Sequence, residues 1–260
     1  MVGLVVILSG CASGVAPSSA ETPVADPSGD ASPSAVASGA VASTDSSPST
    51  VPGIGVKPGE PWIVYQAGGS DGEDSIFLIR PDGTGKHELI PDMLGSESTP
   101  EWSADGNRIA FSRGAPDGTS ELWVIGADGS DRQRLYACTA PCNEVGYPDW
   151  SPDGTAIYFS ESADVPAGGG EPQTFRIGRL DVADGQVEYV RTRNDGLEMW
   201  QARVSPDGQT LAYEAGNEAL GAAIFTAPVA GGDEFRVTDW ALMGAHPDWT
   251  PDGRIVFHEW

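Results

Sequence analysis

The chain has 260 residues, 39% of them hydrophobic, with 38 Asp and Glu against 14 Lys and Arg and a formal charge of −24. A surface of that sign repels phosphate backbones and anionic headgroups, which excludes nucleic acid as a partner. The hydrophobic content supports a sizeable core, but not along the whole length, because residues 12–56 carry no aromatic side chain.

The first element in chain order is the apolar run VGLVVILSGCASG from Val2. It is too short to span a bilayer as a mature helix and ends in small residues, which predicts an export signal over 1–11. Its last residues, Leu8, Ser9, Gly10 and Cys11, resemble the bacterial lipoprotein box. That resemblance implies cleavage before Cys11, lipidation of its thiol and anchoring at the extracytoplasmic face of the cell membrane. One departure is the lack of any Lys or Arg before Lys57. A start placed downstream of the true one would account for the missing basic segment. Residues 12–58 are Ser, Ala, Pro, Gly and Thr in the main, which predicts a disordered tether.

From residue 59 to 260 the chain repeats itself. The copies are EWSADGNRIAFS from Glu101, DWSPDGTAIYFS from Asp149, RVSPDGQTLAYE from Arg203 and DWTPDGRIVFHE from Asp248. Their turn glycines, Gly106, Gly154, Gly208 and Gly253, stand 48, 54 and 45 residues apart. Each copy predicts strand, hairpin turn, strand. Pro152 sets φ for the turn, Asp153 bonds its own backbone and Gly154 takes the positive φ. Beyond the turn, Ile157 and Phe159 point one way and Tyr158 and Ser160 the other, the pattern of a half-buried strand.

A second hairpin follows in each unit, as in ELWVIGADGSDRQRL from Glu121 and FRIGRLDVADGQVEYV from Phe175. The segment IFLIRPDGTGKHELI from Ile76 has the same form, so a degenerate unit precedes the four clear ones. Four strands per unit, no helical periodicity and this period predict an all-β propeller of four to five blades. The first unit lacks an innermost strand, and the last ends after its second. Two readings follow, a small irregular ring or a fragment of a larger propeller, the second favoured.

Trp102, Trp150 and Trp249 share one repeat position, with Val204 in the fourth copy. A single sheet cannot hide the roughly 150–250 Å² of such a side chain, so these tryptophans are expected between blades. Cys138 and Cys142 are close enough to pair, which export permits. The residues ahead of the Trp/Val position are Glu101, Asp149, Arg203 and Asp248. Innermost strands converge on a propeller axis, so these four should gather at one mouth of the central channel, with Tyr147, Gln201 and His246 beside them. Each charge either caps backbone in its own blade or also receives a basic or polar group from a partner. Acidic turns such as DGED from Asp71 lack the full ligand set of a calcium loop, and no metal or other cofactor is expected.

The pattern Pro-Asp/Glu-Trp-Ser/Thr-Pro-Asp-Gly followed by an Ile-Ala/Tyr-Phe strand resembles the WD40-like repeat of TolB-type propellers, over about residues 61–260. The resemblance implies the fold, an extracytoplasmic setting and protein binding at the propeller faces. The expected function is a non-catalytic, lipid-anchored module that binds a protein or cell-envelope ligand. The alternative is a surface hydrolase or lyase on the same scaffold, using carboxylates such as Glu101, Asp149 and Asp248. Against it, His87, His246 and His258 occupy unmatched repeat positions, so no multi-histidine metal site is expected.

Overall fold

A computed structural model describes residues 6–7, 60–69, 72–164 and 173–259. Cys11, nearly all of the expected leader over 1–11 and the expected tether over 12–58 lie outside the described residues, as does Trp260. Five antiparallel sheets follow one another along the chain. Blade 1 has three strands, Ile63–Gly68, Asp74–Ile79 and His87–Glu88. Blade 2 has four, Ser96–Trp102, Arg108–Gly114, Ser120–Gly126 and Gln133–Ala137. Blade 3 comprises Cys142–Trp150, Ala156–Ala163, Thr174–Asp181 and Val187–Arg193. Blade 4 comprises Glu198–Val204, Thr210–Asn217, Gly221–Pro228 and Phe235–Arg236. Blade 5 pairs Gly244–Trp249 with Ile255–Glu259, and Val6–Ile7 lies antiparallel against the latter. The sheets are the blades of an incomplete propeller, and among the described residues blade 1 begins at the second-strand position, as the sequence predicts.

The apolar pattern builds one core per blade interface rather than one centre. Ile109 and Phe111 join Ile76, Leu78 and Leu89 between blades 1 and 2, while Ala110, between them in sequence, faces Trp150, Ile157 and Phe159. Tyr158, on the opposite face from Ile157, packs with Met199, Leu211 and Tyr213 between blades 3 and 4. The expectation of a half-buried strand is therefore corrected here: every residue of Ala156–Ala163 is buried. Alternation in these strands separates two cores, because a neighbouring blade covers each face. Packing is close enough that a Cβ at Gly178 would lie 2.3 Å from Cζ of Phe159, which leaves room only for glycine. Cys138 and Cys142 form a disulfide in the connection from blade 2 to blade 3, with Cα atoms 5.3 Å apart. Among the described residues no helix is long and apolar enough to cross a membrane.

Candidate functional site

The turn between the first and second strands of each blade is chemically self-contained. Ser151 Oγ donates to Asp153 Oδ1 at 2.6 Å, and the same oxygen accepts from Thr155 N at 3.0 Å. Ser103 with Asp105, Ser205 with Asp207 and Thr250 with Asp252 repeat the arrangement. These donors, the hydroxyl first, hold Asp105 and Asp153 down at about 2, so both stay ionised through almost the whole working pH range. Such acids supply part of the negative charge, with one carboxylate oxygen of each committed to its own turn.

Above the turns, the innermost strands share a second device. Thr99, Tyr147, Gln201 and His246 occupy one repeat position and take φ of 50°, 55°, 57° and 53°. At each, the register with the second strand slips, between Ser98 and Glu101 in blade 2 and between Ala245 and Asp248 in blade 5. A left-handed conformation costs a side-chain-bearing residue roughly 1–2 kcal/mol. Its recurrence on four consecutive blades marks a bulge that turns successive backbone groups toward the axis. The amides freed in this way are taken by the preceding blade. Thr99 N donates to Gln66 Oε1 at 3.2 Å, Tyr147 N to Thr99 Oγ1 at 3.3 Å and His246 N to Glu214 Oε2 at 3.3 Å.

Two residues beyond each bulge stand Glu101, Asp149, Arg203 and Asp248, and the fold brings them together. Arg203 Nη2 lies 3.8 Å from Glu101 Oε2, and Arg203 Nη1 donates to Pro148 O at 3.3 Å. Asp149 Oδ2 accepts from Val204 N across the blade interface at 2.6 Å, and Asp248 Oδ1 accepts from Trp249 N at 2.7 Å. Burial raises the Asp149 carboxyl to about 7, against the lowering pull of Arg203 and the Val204 amide, and with a further push from Glu101 and Asp248. Glu101 is raised for the same first reason, burial. Three of the four thus cap backbone, Asp149 and Asp248 as acceptors and Arg203 as a donor, while Glu101 and Arg203 face one another across blades.

The tryptophans tie these residues to the stacking. Trp150 is 5% exposed and its Nε1 donates to the carbonyl of Glu101 at 3.3 Å, while the guanidinium of Arg108 lies 4.5 Å over its ring. Trp249 Nε1 donates to the carbonyl of Arg203 at 3.1 Å. Trp102 is half-buried, and its Nε1 has no partner among the described residues. Among the described residues blade 1 has no innermost strand to supply the equivalent carbonyl.

Sequence reasoning missed Thr99, Trp200 and Glu214 beside this mouth. Tyr147 and Trp200 pack with ring centroids 5.9 Å apart, and Trp200 Nε1 donates to Glu198 Oε2 at 3.2 Å. Burial, then Glu144 and Glu214, raise the Tyr147 phenol. His246 and His258 come from unmatched repeat positions, yet their rings meet edge to face at 6.1 Å. Among the described residues no three His, Cys, Asp or Glu side chains group to hold a metal. Thr99 was findable by the alignment that gave Tyr147, Gln201 and His246; Glu214 sits on a different strand and needed the blade packing.

A family model described as the TolB beta propeller domain matches residues 69–259. No curated protein matches the chain. Among solved structures, TolB from Acinetobacter baumannii is 18% identical, with a TM-score of 0.60 over 76% of this chain and 46% of that one. A TolB-type protein from Agrobacterium tumefaciens is 19% identical, with a TM-score of 0.60 over 76% and 70%. An oligogalacturonate lyase from Vibrio parahaemolyticus is 14% identical, with a TM-score of 0.55 over 76% and 59%. The chain therefore spans less than half the length of the first and under two thirds of the third. At these identities the likeness is one of fold.

Proposed function

Because the chain belongs to the TolB β-propeller family, we propose that it is a non-catalytic binding module of the cell envelope, held to the membrane by lipid on Cys11. Its binding face is the axial mouth ringed by Glu101, Asp149, Arg203 and Asp248, with Tyr147, Gln201 and His246 on the bulges beside them. The observation that carries this reading is the bulge repeated on four consecutive blades. Strain at one turn is unremarkable, but four equivalent left-handed residues set side chains of different chemistry, Thr99, Tyr147, Gln201 and His246, at one repeat position, while three of their amides serve the contact with the preceding blade. The partner is a protein or envelope component that presents a basic or polar group to the acids.

Replacing Glu101 and Asp149 together by Gln and Asn keeps size and removes charge. Affinity for a partner captured by the wild-type domain should fall about tenfold, and its salt dependence should flatten. Unchanged affinity and salt response in the double variant would place the face elsewhere. For the anchor, Cys11→Ser should move the protein out of the membrane fraction or leave it as precursor, since stable retention rests on acyl chains. Full membrane retention of that variant would remove the lipid from the account.

An enzymatic reading has one observation in its favour, the carboxyl of Asp149 held near neutrality beside Glu101. A glycan hydrolase and lyase panel on the purified domain decides it. Turnover lost in the same Glu101 and Asp149 double variant would establish the enzyme and displace the binding module.

A further inference from the structure

A second site lies away from the axis, at the crossover from blade 3 to blade 4. The fourth strand of blade 3 ends at Arg193, and the chain then turns through Asn194 and Asp195 to enter blade 4. A cavity of about 280 Å³ opens there, and Arg191, Arg193, Asn194 and Glu234 are among the residues that line it. The arginines are unusual for their unmet donors. Arg193 is 8% exposed and, among the described residues, its Nη1 has no hydrogen-bond partner; Nε of Arg191 is likewise buried and unpartnered there. Their other nitrogens are engaged, Arg191 Nη2 with Gly232 O at 2.7 Å and Arg193 Nη2 with Glu234 Oε1.

The neighbouring acids do not meet this demand. Glu234 has both oxygens in use, because its Oε2 accepts from the Tyr213 hydroxyl at 2.5 Å. Asp195 is more than half exposed and its Oδ1 stands 3.7 Å from Arg193 Nε. A buried donor without an acceptor costs roughly 1–3 kcal/mol, more when charged. Two such donors on adjacent guanidinium groups call for an acceptor with two oxygens.

We propose that the crossover cavity between blades 3 and 4 binds an oxyanion, a carboxylate or phosphoryl group that accepts from Arg191 and Arg193. Guanidinium forks match both groups in shape, and a small torsional adjustment of each arginine brings its free donor onto the anion. The two arginines are formally balanced by Glu234 and Asp195, so recognition rests on directed hydrogen bonds more than on net charge. Affinity is accordingly modest, with Kd on the order of 1 mM. The site stands on different blade edges from the axial mouth and does not depend on the function assigned to that mouth.

The test is a calorimetric titration of the intact chain with inorganic phosphate and, separately, with acetate, at constant ionic strength with chloride as the balancing anion. Saturable uptake of either supports the site, and the better of the two names the ligand class as phosphoryl or carboxylate. In Arg191→Gln the affinity should fall about tenfold, and Arg191→Lys, which keeps the charge but not the fork, should lose nearly as much. Wild-type chain carrying nitrogen-labelled arginine provides a readout free of any folding defect, because the Nε–H signal of Arg191 should shift with the bound anion. Absence of saturation by both anions, equal binding in the Gln variant or an unmoved Nε–H signal would each overturn the proposal.

Discussion

Trp150→Ala should destabilise the protein by ~3–5 kcal/mol, the range for truncating a large buried aromatic. The indole lies in the core between blades 2 and 3 with Ala110, Leu122, Val124 and Ile157. Truncation opens a void there, deletes the indole bond to the Glu101 carbonyl and removes the ring on which Arg108 rests. Nothing adjacent can relax into the gap, because each blade is held by strands on both sides. Phe235 is the control: it is 66% exposed on the short outer strand of blade 4, and its replacement by Ala should move stability by no more than ~0.5 kcal/mol. Urea unfolding of both variants measures the contrast. Equal, small losses at the two positions would show that the tryptophan does not hold the blades together.

The second large effect is on pH dependence. Asp149 is raised from 3.8 to about 7 in the folded chain. Between those two values the native state holds a proton that the unfolded state has released. Stability contributed by this group is therefore fully present below about pH 4 and is lost as pH rises to about 7. At roughly 1.4 kcal/mol per unit the loss is about 4 kcal/mol at most. Asp105 and Asp153 act in the opposite sense and in a lower window, since their carboxyls sit at about 2 and their contribution disappears only as pH falls below about 4. Asp149→Asn keeps an oxygen for the Val204 amide and removes the titration. Its unfolding free energy should exceed that of the wild type at pH 8 and match it near pH 4. A variant with the same slope between those pH values as the parent would sink this assignment.

How much of this was legible beforehand depended on the range of the contacts. The hairpin turns were readable because Ser151, Asp153 and Gly154 satisfy one another within five residues, and the Cys138–Cys142 link spans a similar distance. The tryptophan repeat and the degenerate first blade followed from counting. The bulges at Tyr147, Gln201 and His246 were not readable, since a left-handed residue is set by a register slip against the next strand and not by its own type. Complete burial of Ala156–Ala163 was hidden for a related reason: alternation looks the same whether the second face meets water or another blade. Glu214 and Trp200 reached the mouth by the way blades pack, and the two arginines of the crossover cavity sit in a polar stretch with no pattern to single them out.

The tryptophan bonds have one further implication, for how such a chain can change over time. Trp150 and Trp249 do not seek a particular side chain on the blade before them; each donates to a main-chain carbonyl, that of Glu101 and of Arg203. Every residue type offers that carbonyl, so a duplicated unit can be inserted next to any other and still be clasped. The clasp itself does not dictate the side chain of the residue it holds, and the two clasped residues here are Glu101 and Arg203, of opposite charge. Assembly and recognition are thereby inherited separately. Mutation can rewrite the charge pattern around the axis, one blade at a time, without touching the bond that keeps the ladder of blades in register.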